Sequence, residues 1–261
     1  MTPRPTANAV TIAAAAALLL LAPAATRRLA AQDAPPRDAV QNANAWVMYF
    51  GEHPLGRSRW ALWAEAQVRR AELGATWQQL LLRPGLGYTI TPQARVTGGY
   101  AYIDTHEYGE QPVAARFPEH RLWEQLTVTH ATGRLAWQHR YRVEQRWVGI
   151  MDAATDARTG WRYTNRLRYL ARASLPLRGP TIAVGTPYVS VYDELFVSAG
   201  RNVRNNVFDQ NRAYAAVGWR LSPTLRLEAG YLHQLVLKPS GTQMEHNHTL
   251  QVGFFSAAAI R

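Results

Sequence analysis

The sequence predicts an all-β fold, a single antiparallel up-and-down transmembrane β-barrel of ten to twelve strands, and three observations carry that prediction. The first is parity in residues 135–147. Leu135, Trp137, His139, Tyr141, Val143, Gln145 and Trp147 hold the apolar and aromatic bulk, while Ala136, Gln138, Arg140, Arg142, Glu144 and Arg146 hold the charge. Successive side chains of a strand point to opposite faces, so this is one strand with a greasy face and an ionic face. It is far longer than the roughly 5–6 residues usual in soluble sheets. The second observation is repetition, because similar alternating segments recur along the whole chain. The third is the absence, after the first 31 residues, of any run that approaches a transmembrane helix, so a membrane could be crossed only by strands. A tilted strand crosses hydrocarbon in about 9–11 residues and must satisfy its backbone sideways, which requires a closed barrel.

In chain order, residues 1–31 read as a cleaved export signal: Arg4 gives positive charge, 13–25 is a short apolar run, and Leu29-Ala30-Ala31 offers small residues for cleavage. The competing reading, an anchoring helix, fails on length. Residues 32–45 read as a flexible lead-in, polar and proline-bearing at its start, and residues 46–261 as the barrel. A first short strand spans 46–51. It turns into 59–70, where Trp60, Leu62, Ala64, Ala66 and Val68 oppose Trp63, Glu65, Gln67 and Arg69. In 77–90, Leu80, Leu82, Leu86, Tyr88 and Ile90 oppose Gln79, Arg83, Gly85, Gly87 and Thr89. Segments 94–104, 119–130 and 135–147 follow. In 161–173, Trp161, Tyr163, Leu167, Tyr169 and Ala171 face away from Arg162, Thr164, Arg166, Arg168 and Arg172. Segments 182–196, 211–221, 225–237 and 246–255 complete the set.

Connections alternate between short turns (91–93, 131–133, 175–180, 222–224) and longer loops (105–117, 149–160, 197–210, 238–243), as expected when one end meets the periplasm and the other the outside. This makes eleven strand candidates, whereas single-chain bacterial barrels have even numbers. Either 46–51 is not a full wall strand, giving ten, or one more is hidden, giving twelve. A soluble sandwich or lipocalin-like barrel is the rival, with its apolar face inward and the arginines in water. Strand length, the number of similar strands, and aromatics at strand ends, such as Trp60, Trp77, Tyr88, Tyr100, Trp147, Trp161, Trp219, Tyr231 and Phe254, favour the membrane barrel.

Of 29 basic residues, Arg4, Arg27 and Arg28 fall in the leader, leaving 26 against 18 acidic residues and a formal charge of +8. Such a balance usually suggests nucleic acid or anionic lipid. Here the arginines alternate along strands of an exported chain, which excludes nucleic acid as a partner. The absence of cysteine excludes disulfides and thiol chemistry.

Several motifs stand in order along the chain: Leu82-Arg83-Pro84-Gly85-Leu86-Gly87-Tyr88, Pro118-Glu119-His120-Arg121-Leu122-Trp123-Glu124-Gln125, Arg140-Tyr141-Arg142-Val143-Glu144-Gln145-Arg146-Trp147, Arg166-Leu167-Arg168-Tyr169 and Phe208-Asp209-Gln210-Asn211-Arg212. With them the chain resembles a bacterial outer-membrane β-barrel family catalogued as domain of unknown function 2490, over residues 46–255. The resemblance implies fold and location in the bacterial outer membrane. The family has no established activity and transfers no catalytic residue. Many outer-membrane barrels end on an aromatic residue read by the barrel-assembly machinery, whereas this chain continues past Phe254-Phe255 as SAAAIR.

The candidate site is the inward charge on two neighbouring strands: Arg140, Arg142, Glu144 and Arg146 on one, Arg162, Arg166, Arg168 and Arg172 on the next, with Glu119 and Arg121 preceding them. By parity, Glu65, Glu119, Glu194 and Glu228 are the acids that could pair with them; the planar guanidinium fork holds two acceptors at once. The lumen is then either closed by an ion-pair network or a basic channel or pocket for a small anionic solute, with lipid and lipopolysaccharide around the wall. Strict alternation would turn Glu124 outward into lipid, which is costly, so a bulge near 120–123 is predicted to bring it inside. No cofactor is expected. His246 and His248, with His233 on the adjoining strand, are weak metal candidates. With Ser240, His246 and His248 raise the alternative of a rim-sited lipid-modifying hydrolase, although no serine lies in a nucleophile motif.

Overall fold

A computed structural model describes residues 37–260. The predicted signal peptide, 1–31, and the start of the predicted lead-in lie outside the described residues. Eleven strands follow in chain order: β1 (Asp38–Pro54), β2 (Trp60–Ala71), β3 (Thr76–Thr91), β4 (Ala94–Thr105), β5 (Phe117–Thr132), β6 (Leu135–Met151), β7 (Arg158–Pro176), β8 (Pro187–Ala199), β9 (Phe208–Arg220), β10 (Leu225–Leu237) and β11 (Gln243–Ser256). Each pairs antiparallel with its sequence neighbour, and β1 pairs with β11, so the sheet closes into a barrel.

The strand number is odd, and the expected choice between ten and twelve falls. An up-and-down meander with an odd count leaves its first and last strands pointing the same way. The closing seam is therefore parallel, in register from Asp38 opposite Gln243 to Gly51 opposite Ser256. β1 is a full wall strand of 17 residues, and 38–45, read from sequence as lead-in, is its first half. That half, DAVQNANA, alternates as strictly as any other, but with Asn42 and Asn44 buried in the lumen and Ala43 exposed on the wall. Its amplitude is small because alanine replaces the leucine and tryptophan of the other strands.

The other segments are found within a few residues of their predicted bounds except β8. It begins at Pro187 instead of 182, because 177–186 is a connection in which Gly179 and Gly185 take φ of 67° and 78°. Proline at the first strand position costs no ladder hydrogen bond.

Parity holds around the barrel. On β6, Tyr141 and Val143 are 49% and 38% exposed on the outer wall, while Arg142 and Glu144 are 2% and 0% exposed inside. The lumen also contains two apolar clusters. Trp46, Met48, Tyr214, Ala216 and Leu232 form one, and Leu81, Ala101, Ile103 and Trp123 the other. Trp123 is accommodated by the glycine of Leu82-Arg83-Pro84-Gly85: a Cβ on Gly85 would lie 2.7 Å from the indole Cζ2.

The predicted bulge beside Glu124 does not form. β5 pairs without a shift on both sides, with Gly98 and Val143 opposite Glu124, and the carboxylate lies exposed on the outer wall, accepting a hydrogen bond from Gln145 Nε2 at 3.2 Å. Arg121, Trp123 and Gln125 are all buried in the lumen, and a bulge would have pulled one of them out. The bulges that do occur are at Arg69/Arg70, Thr89/Thr91, Ile150/Met151 and Phe196/Val197, close to strand ends.

The two ends differ. One has two-residue turns at 92–93 and 133–134. At the other, the connection 106–116 folds over the mouth. Tyr108 OH donates to Glu245 at 2.9 Å, Gln111 Nε2 to the Asp38 carbonyl at 2.9 Å, and Lys238 Nζ to the Gln111 carbonyl at 3.2 Å.

Candidate functional site

The lumen-facing charges of seven strands meet in one network at mid-barrel, and Glu144 is its centre. One of its carboxylate oxygens accepts from Arg83 at 3.1 Å and Arg168 at 2.7 Å. The other accepts from Arg166 through Nε at 2.9 Å and Nη2 at 2.6 Å, with Arg121 at 3.6 Å. Four guanidiniums around one fully buried carboxylate would repel one another without further acids, and those acids are present. Glu65 takes Arg83 Nη1 on both oxygens, at 2.8 and 2.9 Å. Glu119 is held by Arg121 at 2.6 and 2.9 Å and by Arg146 at 2.5 and 3.1 Å. Glu194 accepts from Arg140 at 2.7 Å and Arg168 at 2.9 Å, and Asp209 from Arg166 at 2.9 Å. Nearer the short-turn end, Glu228 takes Arg172 at 3.0 Å and Tyr188 OH at 3.1 Å.

Of the ten charges in the predicted cluster, the structure brings eight together in this network, Glu119, Arg121, Arg140, Arg142, Glu144, Arg146, Arg166 and Arg168, while Arg172 pairs with Glu228 nearer the short-turn end. It also pairs Glu65, Glu119, Glu194 and Glu228 with arginines. Arg162 departs from the set: it is half-buried, and its Nε has no partner. Charge is not fully balanced. Arg142 donates to Gln125 Oε1 at 2.9 Å and lies 4.9 Å from the Trp123 ring centre; Arg69 bonds Gln67 and stacks at 4.2 Å on Trp46; Arg212 bonds Gln210 and lies over Phe196 at 4.8 Å. Arg142 also has Glu65 at 3.9 Å, whereas Arg69 and Arg212 have no carboxylate within salt-bridge reach among the described residues, so glutamine oxygens and aromatic faces hold them instead.

Two members escape the sequence reading. Arg83 has the right parity, but its contact with Glu144 crosses the lumen between strands that are not neighbours. Alternation reports the face of a strand and not what lies opposite. Asp209 enters the lumen beside Gln210 because of the bulge at Phe196/Val197, a register change with no mark in composition. Its one signal is its place in the Phe208-Asp209-Gln210-Asn211-Arg212 motif.

The histidines sit apart, on the outer wall. His233 Nε2 and His246 Nδ1 share a hydrogen bond at 3.2 Å, and His248 bonds Tyr231 OH at 2.6 Å and Gln41 Oε1 at 2.7 Å. Ser240 Oγ accepts from the backbone N–H groups of Thr242 and Gln243, both at 3.3 Å. Among the described residues no hydrogen bond joins Ser240 to a histidine, and no carboxylate orients one of these imidazoles, so the groups a serine hydrolase needs are not assembled. No group of three or more potential ligands capable of holding a metal ion forms among the described residues.

The chain is similar, at 27% identity over 217 residues, to an uncharacterized protein of Methylorubrum extorquens; the match covers 80% of this chain and 86% of that protein. No solved structure matches the chain. A family model described as protein of unknown function (DUF2490) matches residues 43–245, a span that runs from early β1 into β11 and includes every residue of the lumen network, and the chain belongs to that family.

Proposed function

We propose that this chain is an outer-membrane barrel, exported by a cleaved signal peptide, whose lumen is sealed at mid-height. The observation that carries the reading is the Glu144 network, which lies across the lumen with Arg83, Arg142 and Glu144 at most 2% exposed. The apolar outer wall supports the location: side chains such as Leu82, Leu122, Leu167 and Leu250 project from a closed sheet, with no second layer among the described residues to cover them. In water such a surface would drive association, whereas in acyl chains it is at rest. The partners that follow are membrane lipid, lipopolysaccharide and the barrel-assembly machinery.

Planar-bilayer recording tests the seal. The wild-type protein is expected to insert without stepwise conductance, and Glu144→Ala to give intermittent anion-preferring steps, because the surplus guanidiniums then line a loosened path. Stable conductance from the wild-type protein contradicts the seal.

A further inference from the structure

Below the network, at the short-turn end, the lumen widens into a cavity of about 880 Å³ bounded by the turns at 92–93, 133–134 and 223–224. Six arginines line it, Arg95, Arg134, Arg140, Arg172, Arg220 and Arg226, and the one carboxylate among the lining residues is Glu52. These arginines are held in three different ways. Arg140 and Arg172 are anchored from the floor by Glu194 and Glu228, at 2.7 and 3.0 Å, and Arg95 is paired with Glu52. Arg134 and Arg220 spend their N–H groups on backbone carbonyls, Pro176 at 2.7 Å and Gly179 at 3.1 Å for the first, Ile182 at 2.9 Å and Pro223 at 2.8 Å for the second. A carbonyl satisfies a donor without cancelling its charge. Arg226 has no acidic partner among the described residues; its guanidinium lies 5.6 Å from the Phe255 ring centre, and Arg172 lies 5.3 Å from the same ring. The cavity therefore carries three arginine charges with no acid against them, and Arg226 is exposed and free to turn its fork to a ligand.

Apolar groups stand beside this charge. Phe50 stacks on Phe255 with ring centres 5.1 Å apart and an interplanar angle of 14°, and Leu170 and Trp63 line the same space. Guanidiniums beside aromatic and aliphatic walls suit a ligand with both characters: the fork takes two oxygens of an oxyanion, and the walls take hydrocarbon. A cavity of this size holds a small amphiphile whole.

We propose that the short-turn cavity is a binding site for an amphiphilic oxyanion, a phosphate or carboxylate head on an apolar tail, with Arg226 as the residue that takes the head. The site depends on the sealed reading only for its floor, and its test does not use conductance, so failure of either claim leaves the other standing.

The test is titration calorimetry on the full chain in nanodiscs of zwitterionic lipid, against empty nanodiscs, with octyl phosphate, inorganic phosphate and octanol as probes. Octyl phosphate is expected to bind at least about tenfold more tightly than inorganic phosphate or octanol, since each of those lacks one of the two contacts. Arg226→Gln should weaken octyl phosphate about tenfold, the loss of one charged hydrogen-bonding partner. Because Arg226 anchors no other side chain, the variant is expected to fold. Arg57→Gln, on an exposed turn at the same end and outside the cavity lining, should change nothing. Equal affinity for octyl and inorganic phosphate overturns the amphiphile. Unchanged binding in Arg226→Gln, or an equal loss in Arg57→Gln, overturns the site.

Discussion

Three residues make the physical logic of the lumen measurable. Glu144 is fully buried and shared by four guanidiniums, each with one other acid, so Glu144→Gln deepens the surplus of buried positive charge, a loss of about 3–5 kcal/mol, to be read as a fall in the urea midpoint of the barrel refolded in lipid vesicles. Gly85 leaves room for the Trp123 ring, and Gly85→Val should lower the same midpoint by about 1–3 kcal/mol through overpacking, while Gly87→Ala, whose nearest neighbour is a side-chain hydroxyl 3.1 Å away, should cost less. Glu124 is the opposite case, a carboxylate on the outer wall opposite Val143. If that wall faces hydrocarbon, Glu124→Leu stabilises the barrel in lipid by about 1–2 kcal/mol. Glu124 also shows where sequence reasoning went astray. The cost of a carboxylate in lipid argued for a bulge, but the cost of expelling Arg121, Trp123 or Gln125 from the lumen is larger, and a single partner, Gln145, makes the outward position tolerable.

Among the elements, β1 and the connection over the long-loop mouth are the two that alternation alone does not disclose. Strands whose two faces differ strongly in polarity, such as β6, β7 and β10, are legible because each side chain declares its face; β10 has the predicted bounds, residues 225–237. The first half of β1 alternates alanine with asparagine, and small residues declare little. Its partner is equally hidden, since pairing of the first strand with the last depends on the parity of the total and on no local signal. The seam can be tested directly in a chain with no cysteine. Ala45 and Leu250 are register partners facing outward, so Ala45→Cys with Leu250→Cys should oxidise to an intramolecular disulfide, and Ala45→Cys with Gln251→Cys should not, because the latter points to the other face. In the mouth connection, Gly109 has φ of 66° and its Cβ position would lie 2.3 Å from Asn42 Oδ1. Gly109→Val should therefore release 106–116, seen as faster amide hydrogen exchange there with the wall strands unchanged.

At the scale of the whole molecule, the barrel has a cavity at its short-turn end, an ion-pair network across its middle and the connection 106–116 over its far end. The faces of the wall and every acid of the network except Asp209 were legible because both follow from a period of two. The closure across the lumen and the short-turn cavity were not, because they depend on distances between strands far apart in sequence. One claim supports the rest: the leucine and tyrosine face of the wall meets hydrocarbon and the guanidinium face meets the axis. Spin labels on single cysteines at Val143 and Asp156, in protein reconstituted into bilayers, test it by collision with oxygen and with a water-soluble nickel chelate. The account predicts that the label at 143 meets oxygen and is shielded from the chelate, while the label at 156, in the connection between β6 and β7, meets the chelate freely. Equal access of the chelate to both positions would contradict it.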